Sequence, residues 1–195
     1  MAKLYFRYGA MNCGKTTALI QAAYNYEERG MKVLVIKPAA DTKGEEMIVS
    51  RLGVERKVDH LIQHDKPLRP QLGDLADIRC ILVDEAQFLE PSQVEELFWL
   101  ATEANIPVLA YGLRTDFLTH GFPASSRLLE LAHELQELKT ICRCGRKAVL
   151  TGRKINGVFV NKGNQVAIED TDDIAYESLC AEDYKKLVLD TQCRT

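Results

Sequence analysis

The sequence predicts an α/β fold: a mostly parallel sheet flanked by helices, with a small β-rich domain appended. Three observations carry that expectation. A glycine loop, Gly9-Ala10-Met11-Asn12-Cys13-Gly14-Lys15-Thr16-Thr17, lies between strand-like Leu4–Tyr8 and helix-favouring Ala18–Ala23. Continuous apolar runs at 32–37, 78–83 and 107–111 alternate with helical segments, as buried parallel strands do. After Ile141 the pattern changes to a Cys-x-Cys knuckle and an Asn156-Gly157 hairpin signal.

Taken in order, the first helix is expected from Lys15 to Arg29, with Gly30 as its cap. Pro38 ends the second strand, and residues 39–53 lose all periodicity, as functional loops do. Arg51 to Asp65 holds a short strand or a turn, and Leu68 to Ala76 a short helix. Pro91 suits the first turn of a helix whose apolar face is Val94, Leu97, Phe98 and Ala101. A loop from Gly112 to Pro123 leads to a helix over Ala124–Glu134 and a strand over Glu137–Ile141. Short strands follow at 147–154, 158–160 and 165–168. The boundary is placed at 140/141, giving a nucleotide-binding domain (1–140) and a small β-rich domain (141–195).

Composition narrows the function classes. The chain has 195 residues, 46% of them hydrophobic, enough for one α/β domain and an appendage but not two motor domains. The net charge is −3 and no basic block stands out, so neither nucleic acid nor a membrane surface is an expected partner. No signal-like segment or membrane-length apolar run is seen, and a soluble cytoplasmic protein is expected.

The glycine loop fits Gly-x-x-x-x-Gly-Lys-Ser/Thr, the P-loop pattern, and its context points to a RecA-like nucleotide fold. Its backbone N–H groups would hold phosphates at a helix N-terminus, with Lys15 on the outer phosphates and Thr16 on Mg2+. Asp84 follows the apolar residues Cys80–Val83 and is the expected second magnesium anchor. Glu85 comes next and, if the chain turns there, can take a proton from an attacking hydroxyl. Asp84-Glu85-Ala86-Gln87 also suggests a helicase box, but the second motor domain and basic groove of a helicase are missing. Four of the six cysteines, Cys142, Cys144, Cys180 and Cys193, lie in the last third, an arrangement suited to structural Zn2+. With no histidine after His133, the fourth ligand is Cys193, a carboxylate such as Asp183, or water. Phe117 and Phe122, in a loop at a strand end, could stack on a base.

Taken together, Gly9–Thr17, Lys37-Pro38-Ala39 with Asp41-Thr42, Asp84–Phe88, Tyr111–Phe117, Leu138–Cys142 and Tyr176–Cys180 resemble the cellular, zinc-containing type of thymidine kinase, over nearly the whole chain. The resemblance implies ATP-dependent phosphorylation of the thymidine 5′-hydroxyl to dTMP, in deoxynucleotide salvage. It implies Glu85 as general base and a donor site formed by Gly9, Ala10, Met11, Asn12, Cys13, Gly14, Lys15, Thr16, Asp41, Asp84, Glu85, Ala86 and Gln87. It places Met11 and Phe117 at the nucleoside, where the loop position also puts Phe122, under a lasso that includes Ala167, Ile168, Glu169 and Tyr176. It also implies a homotetramer, and zinc held by Cys142, Cys144, Cys180 and the residue at 183. Two departures stand out: Glu169-Asp170 replaces the family's Gly-Gly, and Asp183 stands where the family has Cys or His. The competing readings are a zinc-ribbon P-loop ATPase that binds nucleic acid and a catalytically weak nucleotide-binding relative.

Overall fold

The computed structural model describes residues 1–41, 46–163 and 174–190. In chain order the elements are β1 (Leu4–Gly9), α1 (Lys15–Glu27), β2 (Lys32–Pro38), β3 (Met47–Val49), β4 (Glu55–Lys57), β5 (His60–Ile62), β6 (Ile78–Val83), α2 (Pro91–Glu103), β7 (Val108–Leu113) and α3 (Pro123–Leu131). Then come β8 (Glu134–Glu137), β9 (Thr140–Ile141), β10 (Lys147–Ala148), β11 (Leu150–Ile155), β12 (Val158–Val160), β13 (Ile174–Leu179) and α4 (Ala181–Tyr184), which runs into a wider helical turn at Lys185–Leu189.

Six strands form the main sheet in the order β5-β2-β6-β7-β1-β8, and every pairing in it is parallel. The apolar runs are explained by this arrangement: each central strand is covered on both faces. One face buries Leu4, Phe6, Leu34, Ile36, Ile81 and Val83 against α2 and α3. The other packs Val33, Val35, Cys80, Leu82 and Tyr111 against Leu19 and Ala23 of α1. Because the strands are parallel, β1 and β6 deliver their carboxyl ends to one edge, where ligands of such folds bind.

Several expectations shift. The helix expected to run to Glu134 stops at Leu131, because residues 134–137 are drawn onto the free edge of β1 as β8. His133 stitches the junction: its N–H donates to the Leu4 carbonyl, and its Nδ1 accepts from the Leu4 N–H at 3.0 Å. The strand expected over 137–141 is thus divided between β8 and the small hairpin β9–β10. The helix expected over 68–76 shrinks to one 3-10 turn at Arg69–Gln71. Within the stretch expected to be an aperiodic loop, Met47–Val49 forms β3, which pairs with β4 as a hairpin, and the strand-or-turn region 51–65 resolves into strands, β4 and the edge strand β5.

The second unit is a three-stranded antiparallel sheet, β12-β11-β13, beside β9–β10. Asn156 and Gly157 both take positive φ (49° and 79°), the turn their sequence signals. Its core is small: Cys142, Ala148, Leu179, Cys180, Tyr184 and Val188. The strand expected at 165–168 lies outside the described residues.

Candidate active site

The loop after β1 turns through two left-handed residues, Asn12 (φ 63°) and Gly14 (φ 81°), before α1 begins at Lys15. Gly9 is obligatory at its root: a Cβ there would lie 2.4 Å from the Cys13 Sγ and 2.5 Å from the Leu138 carbonyl oxygen. Lys15 is buried, and its ammonium donates to the Ala10 carbonyl at 3.1 Å. Met11, Asn12, Gly14, Lys15, Thr16 and Glu85 line a cleft of about 560 Å³. That volume lies in the range of small-molecule sites.

At the end of β6, Asp84 and Glu85 are separated by a backbone reversal rather than by strand alternation. Glu85 has φ 46° and ψ 41°. A non-glycine residue held there costs about 1–3 kcal/mol, and strain of this kind gathers at functional sites. The Glu85 carboxylate is held by Gln87, whose amide Nε2 donates to Oε2 at 2.5 Å. The other end of that amide accepts the Leu113 N–H at 3.0 Å, which ties Glu85 to the tip of β7. Gly112 makes room, since a Cβ would lie 2.9 Å from the Gln87 Oε1. Gln87 therefore serves Glu85 through its amide, and Ala86 is fully buried.

Asp84 is buried, and its Oδ1 has no hydrogen-bond partner among the described residues. Burial, reinforced by the neighbouring Glu85 charge, pushes its carboxyl up to about 7, against the pull of Lys15. Asp41, half-buried, pairs with the buried Lys37 ammonium at 3.2 Å. Two lysines and three carboxylates thus meet at the sheet's carboxyl edge.

Phe117 and Phe122 are both buried, but apart in their contacts. Phe122 packs edge-on to Phe88, with centroids 5.7 Å apart. Phe117 lies beneath the Arg153 guanidinium, 3.6 Å from carbon to ring centroid, and its carbonyl accepts the Tyr184 hydroxyl at 2.6 Å. Tyr176 lies on β13, and its carbonyl accepts from the Asn12 amide at 3.4 Å. The Ala167, Ile168 and Glu169 expectations, and that for Cys193, lie outside the described residues.

Cys142, Cys144, Cys180 and Asp183 converge, with one ligand atom from each within 4.8 Å of all the others. The Cys144 and Cys180 sulfurs are 3.6 Å apart, close to the ~3.8 Å edge of a tetrahedron of 2.3 Å zinc–sulfur bonds. Asp183 is the fourth member of the group, its Oδ2 3.1 Å from the Cys142 sulfur. Arg146 sits over the cluster, with Nε 3.3 Å from the Cys144 sulfur. Its guanidinium holds the Cys144 thiol below the ordinary range, while desolvation pushes Cys142 up to about 11. Three thiolates, a carboxylate and Zn2+ would sum to −2, which Arg146 partly offsets.

Sequence reasoning missed three residues. Thr151, Arg153 and Ser178 are buried polar residues on the face of the small sheet turned to the glycine loop. Their signal was faint: polar positions alternating along a strand, one of which (β13) was not expected at all.

A glycine loop at a helix start, a buried lysine and paired carboxylates at the same edge of the sheet are the means of handling nucleoside triphosphates, and the fold and site define a P-loop phosphotransferase. A thymidine kinase family model matches residues 2–184, and the chain belongs to that family. It is similar to the thymidine kinase of Enterobacteria phage T4, at 44% identity over 96% of this chain and 97% of the phage protein. Similar matches are the thymidine kinases of Coxiella burnetii (45% identity, 95% of this chain and 96% of that protein) and Yersinia pseudotuberculosis (44%, 99% and 100%).

Proposed function

We propose that this chain transfers the γ-phosphoryl group of ATP to the 5′-hydroxyl of thymidine, and of deoxyuridine-like nucleosides, giving the monophosphate and ADP. The observation that carries this reading is the meeting of Lys15, Thr16 and Glu85 on one cleft in a chain of this family. The loop N–H groups and Lys15 hold the donor's phosphates. Glu85 takes the 5′-hydroxyl proton as that oxygen bonds the γ-phosphorus and the bond to the β-phosphate oxygen breaks. Met11, half-buried at the cleft, and Phe117 flank the acceptor, and Tyr176 belongs to the segment closing over it. The proposal divides the chain into a donor-binding body, 1–140, and a closing unit, 141–195. Incubation with ATP, magnesium and thymidine should yield dTMP; no product from any pyrimidine nucleoside would refute the reading.

Magnesium fits the residues present. The buried Asp84 Oδ1 has no hydrogen-bond partner among the described residues, and its charged neighbours Lys15 and Glu85 line the cleft together with Thr16. When bound, the ion neutralises charge on the donor's phosphates. Its binding should carry a pH signature. Asp84 titrates in the folded chain at about 7, above the ordinary 3.8, so without a cation folding stability falls as pH rises from about 4 to 7. A cation that pairs with the carboxylate removes this loss. Magnesium should therefore raise the melting temperature more at pH 8 than at pH 6, and Asp84→Asn should erase the difference. Equal shifts at both pH values would remove Asp84 from the metal site.

Zinc at the Cys142-Cys144-Cys180-Asp183 cluster belongs to the same proposal, as does a homotetramer acting in the cytoplasm. Half-exposed Tyr24 and Trp99 offer contact surface for such an assembly. Among the described residues, no helix is long and apolar enough to cross a membrane.

A further inference from the structure

The three-stranded sheet does more than stand beside the glycine loop. β11 and β13 pair antiparallel with Thr151 directly opposite Ser178, so their side chains emerge together on one face. Both residues are buried, at 4% and 7% exposure. Both hydroxyls end on the same loop residue: the Thr151 Oγ1 accepts the Met11 N–H at 3.2 Å, and the Ser178 hydroxyl donates to the Met11 carbonyl. Asn12, next along, donates its side-chain amide to the Tyr176 carbonyl. The backbone of residue 11 is thus gripped at both ends by a cross-strand pair about 140 and 167 residues away. The grip falls just before the left-handed turn at Asn12 that aims the rest of the loop.

We propose that Thr151 and Ser178 are positioning residues for the donor: as a pair they set the path of the Gly9–Lys15 loop and thereby its affinity for the phosphates of ATP. This inference rests on reading that stretch as the phosphate loop. It makes the small sheet part of the donor site as well as a cover for the acceptor. Losing one hydroxyl frees one end of the Met11 peptide. A buried hydrogen bond contributes about 1 kcal/mol, which corresponds to about fivefold in an equilibrium constant.

The test is the ATP dissociation constant, measured by calorimetry without nucleoside. Thr151→Val and Ser178→Ala should each weaken ATP binding about fivefold. Thr151→Ser, which keeps the hydroxyl, should bind ATP as the parent does. The double variant should fall short of the product of the single effects, since both hydroxyls act on one residue. Unchanged ATP affinity in folded Thr151→Val and Ser178→Ala would overturn the proposal. If neither variant folds, hydrogen exchange at the Met11 amide of the intact chain decides: slow exchange supports the grip and rapid exchange overturns it. Lys15→Ala separates the two readings. If ATP binding survives it, the phosphate-loop assignment fails; if binding is lost there but not in the hydroxyl variants, only the clamp fails.

Discussion

Replacing Glu85 by Gln lowers turnover by about 10²–10⁴-fold, the contribution of a positioned proton acceptor, while ATP still binds. The substitution suits the site. Glutamine has the same shape, and its amide oxygen can still accept from the Gln87 side chain, which now holds the carboxylate at 2.5 Å. The left-handed backbone at residue 85 is equally open to both residues, so the fold is kept and only the base is lost. Steady-state rates with thymidine and ATP, alongside ATP titration, check it. Turnover that survives would remove Glu85 as the base. A loss of ATP binding alongside turnover would make its role structural. Asp84→Asn should differ in kind, by raising the magnesium requirement.

The second large effect concerns the cysteine cluster. The chain should carry one zinc ion, retained in Cys193→Ser, reduced in Asp183→Ala and lost in Cys180→Ser. With the metal gone, the small unit should unfold well below the main body. Its core has six buried members among the described residues, and two of these, Cys142 and Cys180, belong to the candidate metal cluster. A unit this small rarely stands without a staple, and metal binding there is folding free energy. Elemental analysis and a melting curve with and without chelator give the answer. Full zinc content in Asp183→Ala together with loss in Cys193→Ser would exchange the two ligands. Because the Tyr184 hydroxyl holds the Phe117 carbonyl, metal loss should also weaken nucleoside binding.

The parts of this molecule that follow from local chemistry were legible beforehand. The Gly9–Thr17 loop, the apolar strands and the Asn156-Gly157 turn each state their geometry in a few neighbouring residues. What escaped depends on distant partners. The helix expected to reach Glu134 ends at Leu131, and the strand expected from Glu137 starts at Glu134 instead, because the free edge of β1 takes up residues 134–137 as β8. Thr151 reads as an ordinary strand residue and Ser178 lies where no strand is expected, until register sets them opposite one another beneath Met11. Phe117 reads as a base-stacking ring from its loop, whereas the Arg153 guanidinium over its face can be found only in three dimensions. Asp183 was one of several options for the fourth ligand, and it took the turn from Cys180 into α4 to bring it to the cluster.

The placement of β1 bears on the order of assembly. Its neighbours in the sheet are residues 108–113 on one side and 134–137 on the other, and its loop is gripped by residues 151 and 178. Contacts of such sequence separation form slowly, since the chain between must first be closed. During synthesis, β1 emerges long before any of these partners exists and must wait unpaired. The segment 32–83, by contrast, can join β2, β5 and β6 from nearby sequence. The Gly9–Lys15 loop is therefore made before every partner that shapes it and is among the last parts to take shape.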